Sequence, residues 1–234
     1  TADRAYLVNR VAAEKYPDVK FTAFGGLCLN RPVGGLNPDA VETSLKLGAK
    51  VIWLPTNTAE NHYRKNGKDP SKGVVVTRDG KAVDELQDIF ALVKQYNAVL
   101  ATGHIGAEEC FPVVEAARAA GVEKIVITHP EFWVVGMTPE QQADIVRKYD
   151  VLLESVYAQP VNGSYKINIP DNIAAMKAIG PEHFVISTDS GQTVNPYWYE
   201  SYTTYFKAVS EVFTSEQVRR MTHDNPAWLL DIDQ

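Results

Sequence analysis

Apolar positions along the chain alternate between short β-rich runs and amphipathic stretches at helical spacing. Thr1 to Tyr16 predicts a helix, with Ala5, Leu7, Val8, Val11 and Ala12 on one side. Lys20 to Leu29 predicts a strand whose glycines allow close approach of other backbone. Asn37-Pro38-Asp39 opens the next helix, with Asn37 as N-cap and proline at the first helical position. Val51-Ile52-Trp53-Leu54 is apolar on both faces, the habit of a parallel strand covered by helices. Residues 57–81 break this rhythm: they are polar, carry four glycine or proline breakers, and suggest a small hairpin about Val74–Val76 and Arg78–Gly80. The alternation then resumes. Helices are predicted over Asp84–Tyr96, Ala107–Ala120, Thr138–Tyr149 and Pro170–Ile179, and strands over Ala98–Thr102, Lys124–Thr128, Val151–Val156 and His183–Thr188. Capping boxes mark Thr138–Gln141 and Thr214–Gln217, and the chain from Asn195 onward reads as helical.

Six strands each followed by a helix imply a parallel sheet, open or closed into a barrel. An open doubly wound sheet usually carries a glycine-rich phosphate loop at its first turn, and neither G-x-G-x-x-G nor a P-loop occurs here. The expected class is therefore α/β, a TIM-type (β/α)₈ barrel in a single domain over residues 1–234, with 57–81 as an excursion able to cover its active site.

Composition narrows the partners. With 23 basic against 29 acidic residues and no basic cluster, nucleic acid is not expected. The apolar runs are too short for a membrane span. Cys28 and Cys110 supply no disulfide framework and no C-x-x-C spacing, and no signal-like segment opens the chain, so a cytoplasmic setting is expected.

Barrel enzymes build their sites at the C-terminal ends of strands. Here those ends carry His104, His129, Glu154 and Asp189. Histidine and carboxylate are the ligands of a hydrolytic zinc or a similar divalent ion, although a lone histidine after a strand is commonly just a hydrogen-bonded loop residue. His62 lies in the polar excursion with Asn57, Glu60, Asn61 and Tyr63, which reads as a solvated loop or a substrate lid. His183 precedes its strand and His223 falls at a helix junction, and both read as structural. Trp133, Tyr157, Tyr197, Trp198 and Tyr199 crowd the loops after strands, which suits an organic substrate or loop-on-loop packing.

At these residues the chain resembles the amidohydrolase superfamily of metal-dependent barrels. The matching pieces are His104, His129 and Asp189 at three strand ends and the closing Asn225-Pro226-Ala227-Trp228-Leu229-Leu230; Leu29–Pro38 resembles a poorly characterised bacterial and archaeal subgroup. The resemblance implies one divalent ion, zinc by default and otherwise manganese or iron, held by His104, His129 and Asp189 together with ligands from the family's first strand, with Asp189 also taking the proton of the attacking water. It implies a hydrolase of a small-molecule amide, ester, lactone or phosphoester; by their places in the excursion and at the strand ends, His62, Glu154, Trp133 and Arg31 are expected to bind substrate. Two departures stand out. The family's first strand ends in His-x-His, and no such pair occurs in these 234 residues, so the six strands correspond to strands three to eight with the first two missing. Open edges of that kind are expected to pair with another copy of the chain. Lys50 precedes its strand rather than ending it, which argues against a lysine-bridged two-metal centre. A decarboxylase on the same fold is the alternative enzyme, with Arg31 facing a substrate carboxylate, and a metal-free binding or scaffold protein is the alternative class.

Overall fold

The computed structural model describes residues 1–161 and 163–232. The chain forms two compact units, Thr1–Ile125 and Val126–Gln234. The first contains α1 (Ala2–Lys15), β1 (Gly25–Cys28), α2 (Pro38–Lys46), β2 (Ala49–Trp53), α3 (Glu60–Lys65), the two-residue strands β3 (Thr77–Arg78) and β4 (Lys81–Ala82), α4 (Leu86–Gln95), β5 (Val99–Ala101) and α5 (Ala107–Ala119). Strand β6 (Lys124–Ile127) spans the boundary. The second unit continues with α6 (Pro139–Tyr149), β7 (Leu152–Val156), β8 (Ala158–Val161), β9 (Ser164–Ile167), α7 (Ile169–Ile179), β10 (Phe184–Ser187), α8 (Trp198–Ser210), α9 (Ser215–Arg219) and α10 (Asn225–Leu230).

In the first unit β1, β2 and β5 run parallel, with Leu27 opposite Ile52 and Ile52 opposite Leu100. In the second, β6, β7 and β10 run parallel, with Val126 opposite Leu152 and Glu154 opposite Val185. The six predicted strands are thus present, each followed by at least one helix. Their helices form for local reasons. Asn37 accepts hydrogen bonds from the backbone N–H groups of Asp39 and Ala40, and Thr138 and Gln141 close a reciprocal capping box. Helix α4 buries Leu86, Ile89, Phe90 and Val93, the i, i+3, i+4, i+7 face of an amphipathic helix.

Three expectations need correction. The first strand is shorter than Lys20–Leu29: only Gly25–Cys28 pairs, while Phe21, Thr22 and Phe24 are exposed. The polar excursion contains helix α3, which is not expected, while its expected small hairpin is present as β3 and β4. A second hairpin, β8 with β9, stands where no strand is predicted. Among the described residues no helix is long and apolar enough to cross a membrane.

Candidate functional site

The strand ends of the first unit are tied together by backbone and amide groups. Asn30, just beyond β1, accepts hydrogen bonds from the N–H groups of Thr56 and Thr58 and from the Thr58 hydroxyl, and donates to the Thr56 hydroxyl. Arg31 joins this cluster through its backbone N–H, which donates to Thr58, while its side chain is exposed. After β5 the chain turns at Gly103, whose φ of +64° lies in the left-handed region. A Cβ there would lie 2.5 Å from the Leu54 carbonyl oxygen and 2.7 Å from that of Pro55. Glycine lets the backbone pass under those carbonyls, and the next N–H, that of His104, donates to Pro55 O at 3.0 Å.

The excursion is docked against this turn. The buried Asn61 donates from Nδ2 to His104 O at 3.0 Å, and His62 Nδ1 lies 2.8 Å from His104 Nδ1. The ring centroids are 4.9 Å apart and the planes differ by 18°. Nitrogens so much closer than the centroids, in nearly parallel planes, face each other edge to edge, the geometry of an N–H···N bond. Burial and the Lys68 cation both hold His62 below the usual histidine range. Glu109 accepts from Gly106 N–H at 2.7 Å and from the Thr77 hydroxyl at 3.2 Å, which pins the β3–β4 hairpin to α5. Residues 57–81 therefore form a bonded wall, and His62 contacts His104.

The second unit carries the carboxylates. Glu154, on β7, faces Ser187, whose hydroxyl donates to it; burial, and then the Asp189 charge, push its pKa up to about 7. Asp189 follows β10 with φ of +50° and is held by Gln192 Nε2, which donates to its Oδ2, and by Asn195 Nδ2, which donates to its backbone oxygen. Burial raises it to about 6, against the Gln192 bond. A third acid, Glu131, is raised to about 8, first by burial and further by the Glu154 charge, while accepting from Asn168 Nδ2. His129 is 4% exposed, meets the Phe132 ring edge-on at 4.4 Å, and is lowered by burial to about 4, so it is neutral at physiological pH. Its φ of +27° is uncommon for a residue other than glycine.

Behind these groups runs a buried amide and hydroxyl network. Gln159 accepts from Trp133 N–H and donates to Asn168 Oδ1. The fully buried Tyr205 hydroxyl pairs with Ser155 at 2.8 Å and accepts from Asn172 at 2.7 Å. Trp133, 39% exposed, has its backbone fixed by this network, with its indole N–H donating to Pro160 O. Sequence reasoning did not select Glu131, Asn168, Asn172 or Tyr205; an asparagine such as Asn168, set between isoleucines, is the available signal.

These raised carboxyl groups couple stability to pH. Below the unfolded carboxyl range they are protonated in both states. As pH rises, the unfolded chain releases protons that the folded chain retains, so stability falls through about 6, 7 and 8 for Asp189, Glu154 and Glu131. His129 opposes this only below its ordinary pKa of 6.5, where the unfolded state takes up a proton that the folded state resists. Between pH 6.5 and 8 the melting temperature is expected to drop by roughly several degrees, less so in Glu154→Gln. A flat or rising melting temperature across that window contradicts the assignment.

Residues 1–154 match a family described as a family of unknown function, DUF6282. The chain belongs to it. None of the curated proteins compared with this DUF6282 chain matches it. Among solved structures, it is similar to an amidohydrolase from Pseudomonas aeruginosa, at 14% identity and TM-score 0.57, covering 83% of this chain and 67% of that one. It is also similar to 2,6-dihydroxybenzoate decarboxylase from Rhizobium, at 15% identity and TM-score 0.54, covering 100% and 78%. A dihydroxybenzoic acid decarboxylase from Polaromonas, determined with bound manganese and 2-nitroresorcinol, matches at 12% identity and TM-score 0.54, covering 100% and 76%. At 12–15% identity, what this DUF6282 protein shares with these solved structures is the fold.

The resemblance to metal-dependent barrels implies a metal, and the donor set tests it. A zinc site takes three or four protein ligands. Among the described residues no three His, Cys, Asp or Glu side chains come close enough to hold one ion. His104 already meets His62 at Nδ1, and His129 is packed against Phe132. The described residues alone therefore supply no complete three-ligand site.

Proposed function

We propose that this DUF6282 protein is a hydrolase of a small organic substrate that works by general acid–base chemistry, with Asp189 as base and Glu154 as acid. The observation that carries this reading is the charge interaction of two carboxyl groups, Glu154 within β7 and Asp189 just after the neighbouring β10, one raised to about 7 and the other to about 6. Groups held near the working pH can both accept and return a proton at useful rates. At neutral pH Asp189 is mostly ionised and takes the proton of an attacking water. Glu154, raised to about 7, keeps its proton to higher pH than an ordinary carboxyl group and gives it to the leaving oxygen or nitrogen. Trp133, anchored to Gln159 and Pro160, offers an exposed ring for an organic substrate. Amide, ester, lactone and phosphoester bonds are the candidate targets.

Glu131 favours a second reading, decarboxylation. A carboxylic acid that keeps its proton to about 8, close enough to Glu154 for their charges to interact, is a proton source for the carbon that loses CO₂. Fold alone does not choose between these reactions. A panel of esters, amides, lactones, phosphate esters and hydroxybenzoates, assayed with and without added zinc or manganese, separates them. Incorporation of ¹⁸O from water supports hydrolysis, release of CO₂ supports decarboxylation, and no turnover across the panel counts against both and favours a binding protein.

A further inference from the structure

Helix α1 turns its apolar stripe to solvent. Among the described residues of α1, Ala2 alone is buried. The helix is held from one side: Ala2 packs so close to Gly25 that a Cβ there would collide with the Ala2 backbone, and Asn9 exchanges two hydrogen bonds with the backbone of Ala23. At 3.6 residues per turn Ala2 and Asn9 share that side, and the opposite side carries Arg4, Leu7, Val11 and Glu14 in a row. Along this row Leu7, Val8, Val11, Tyr16, Val19 and Phe21 line a groove of about 430 Å³, and each of the six is between 47% and 62% exposed. A helix of 14 residues is marginal on its own in water and owes most of its stability to the packing of an apolar face. A contiguous apolar patch of this kind marks an interaction surface.

We propose that this face binds a second copy of the chain, the two α1 helices packing antiparallel about a two-fold axis level with Asn9. The charges select that occupant. Positions 7 and 11, and positions 4 and 14, are equally spaced about residue 9. An antiparallel pair therefore sets Leu7 against the partner's Val11 and Arg4 against the partner's Glu14, each contact made twice by the symmetry. A parallel pair would set like charges together at both ends. Within its own helix Arg10 lies 3.6 Å from Glu14 Oε1, which leaves Oε2 for the partner's Arg4. The size is also right. The half-exposed Tyr16 and Phe21 offer roughly 200 Å² of apolar surface, and the four aliphatic side chains about as much again. Apolar atoms make up just over half of an interface, so each copy would bury roughly 700 Å², near the ~800 Å² per partner of a stable complex.

Sedimentation velocity of the full chain over a concentration series tests this, with circular dichroism to confirm folding. The expected result is a reversible dimer. Leu7→Glu together with Val11→Glu should give a folded monomer. Arg4→Glu and Glu14→Arg should each weaken the dimer by roughly tenfold or more, because each sets like charges face to face. The two exchanges combined should restore it, since opposite charges meet again. The exposed Arg10 pair is lost in Glu14→Arg and in the combined variant alike, so it does not blur that comparison. A chain that stays monomeric at its highest soluble concentration overturns the proposal. So does a dimer that survives Leu7→Glu with Val11→Glu, which would use another surface, or one that the combined charge exchange fails to rescue. Should Leu7→Glu with Val11→Glu fail to fold, the charge exchange decides alone. None of these side chains belongs to the proposed acid–base pair, so this test and the substrate panel stand or fall separately.

Discussion

Asp189→Asn is expected to lower kcat/KM by about two to four orders of magnitude on any substrate the panel identifies, the range typical of a lost general base. The substitution keeps side-chain shape and removes only the charge. Gln192 Nε2 can still donate to the remaining oxygen, and the Asn195 bond is to the backbone of residue 189, so the left-handed turn after β10 retains its supports. Stability should not suffer. The wild-type carboxylate is partly desolvated and repels Glu154, so its removal relieves a cost and lets the Glu154 pKa fall. A large loss of activity with an unchanged or higher melting temperature identifies a chemical role. A loss under about tenfold means that proton transfer runs elsewhere.

Gly103→Ala should be the most damaging conservative change in the first unit. Two costs add. A left-handed backbone conformation costs a non-glycine residue about 1–2 kcal/mol, and forcing a methyl against fixed atoms costs about 1–3 kcal/mol more. The new Cβ would meet the Leu54 and Pro55 carbonyl oxygens, which belong to the backbone and cannot rotate aside. Gly67 is the control, because it too has positive φ, +65°, yet nothing lies within 4 Å of its missing Cβ. Denaturant unfolding should show a shift in midpoint for Gly103→Ala well beyond that for Gly67→Ala. Equal shifts would mean that the turn before His104 is not the tight passage the geometry describes.

Much of this fold can be read along the chain because its causes are local. Asn37-Pro38, Thr138–Gln141 and Thr214–Gln217 start helices with their own side chains, and Val51–Trp53 or Lys124–Ile127 carry enough apolar residues to predict buried strands. The β8–β9 hairpin escapes such reading. Pro160 argues against a strand, yet an edge hairpin tolerates proline where no ladder N–H is needed. The site divides the same way. His104, His129 and Asp189 announce themselves by following strands, whereas Glu154, expected at a strand end, lies in the middle of β7. What gives them their chemistry is distant in sequence: His62 is 42 residues from His104, Asn168 is 37 from Glu131, and Tyr205 is 50 from Ser155. Burial and neighbouring charge are tertiary quantities, so neither the raised Glu154 nor the lowered His129 has a linear signature.

The paired carboxyl groups are the centre of this account, and a side-chain ¹³C titration of Glu154 and Asp189 tests them most directly, in wild type and in Asp189→Asn. The predicted result is two interacting transitions at about 7 and about 6, with the Glu154 midpoint falling when the Asp189 charge is removed. Two independent transitions near the ordinary carboxyl value of about 4, unchanged in the variant, would contradict it.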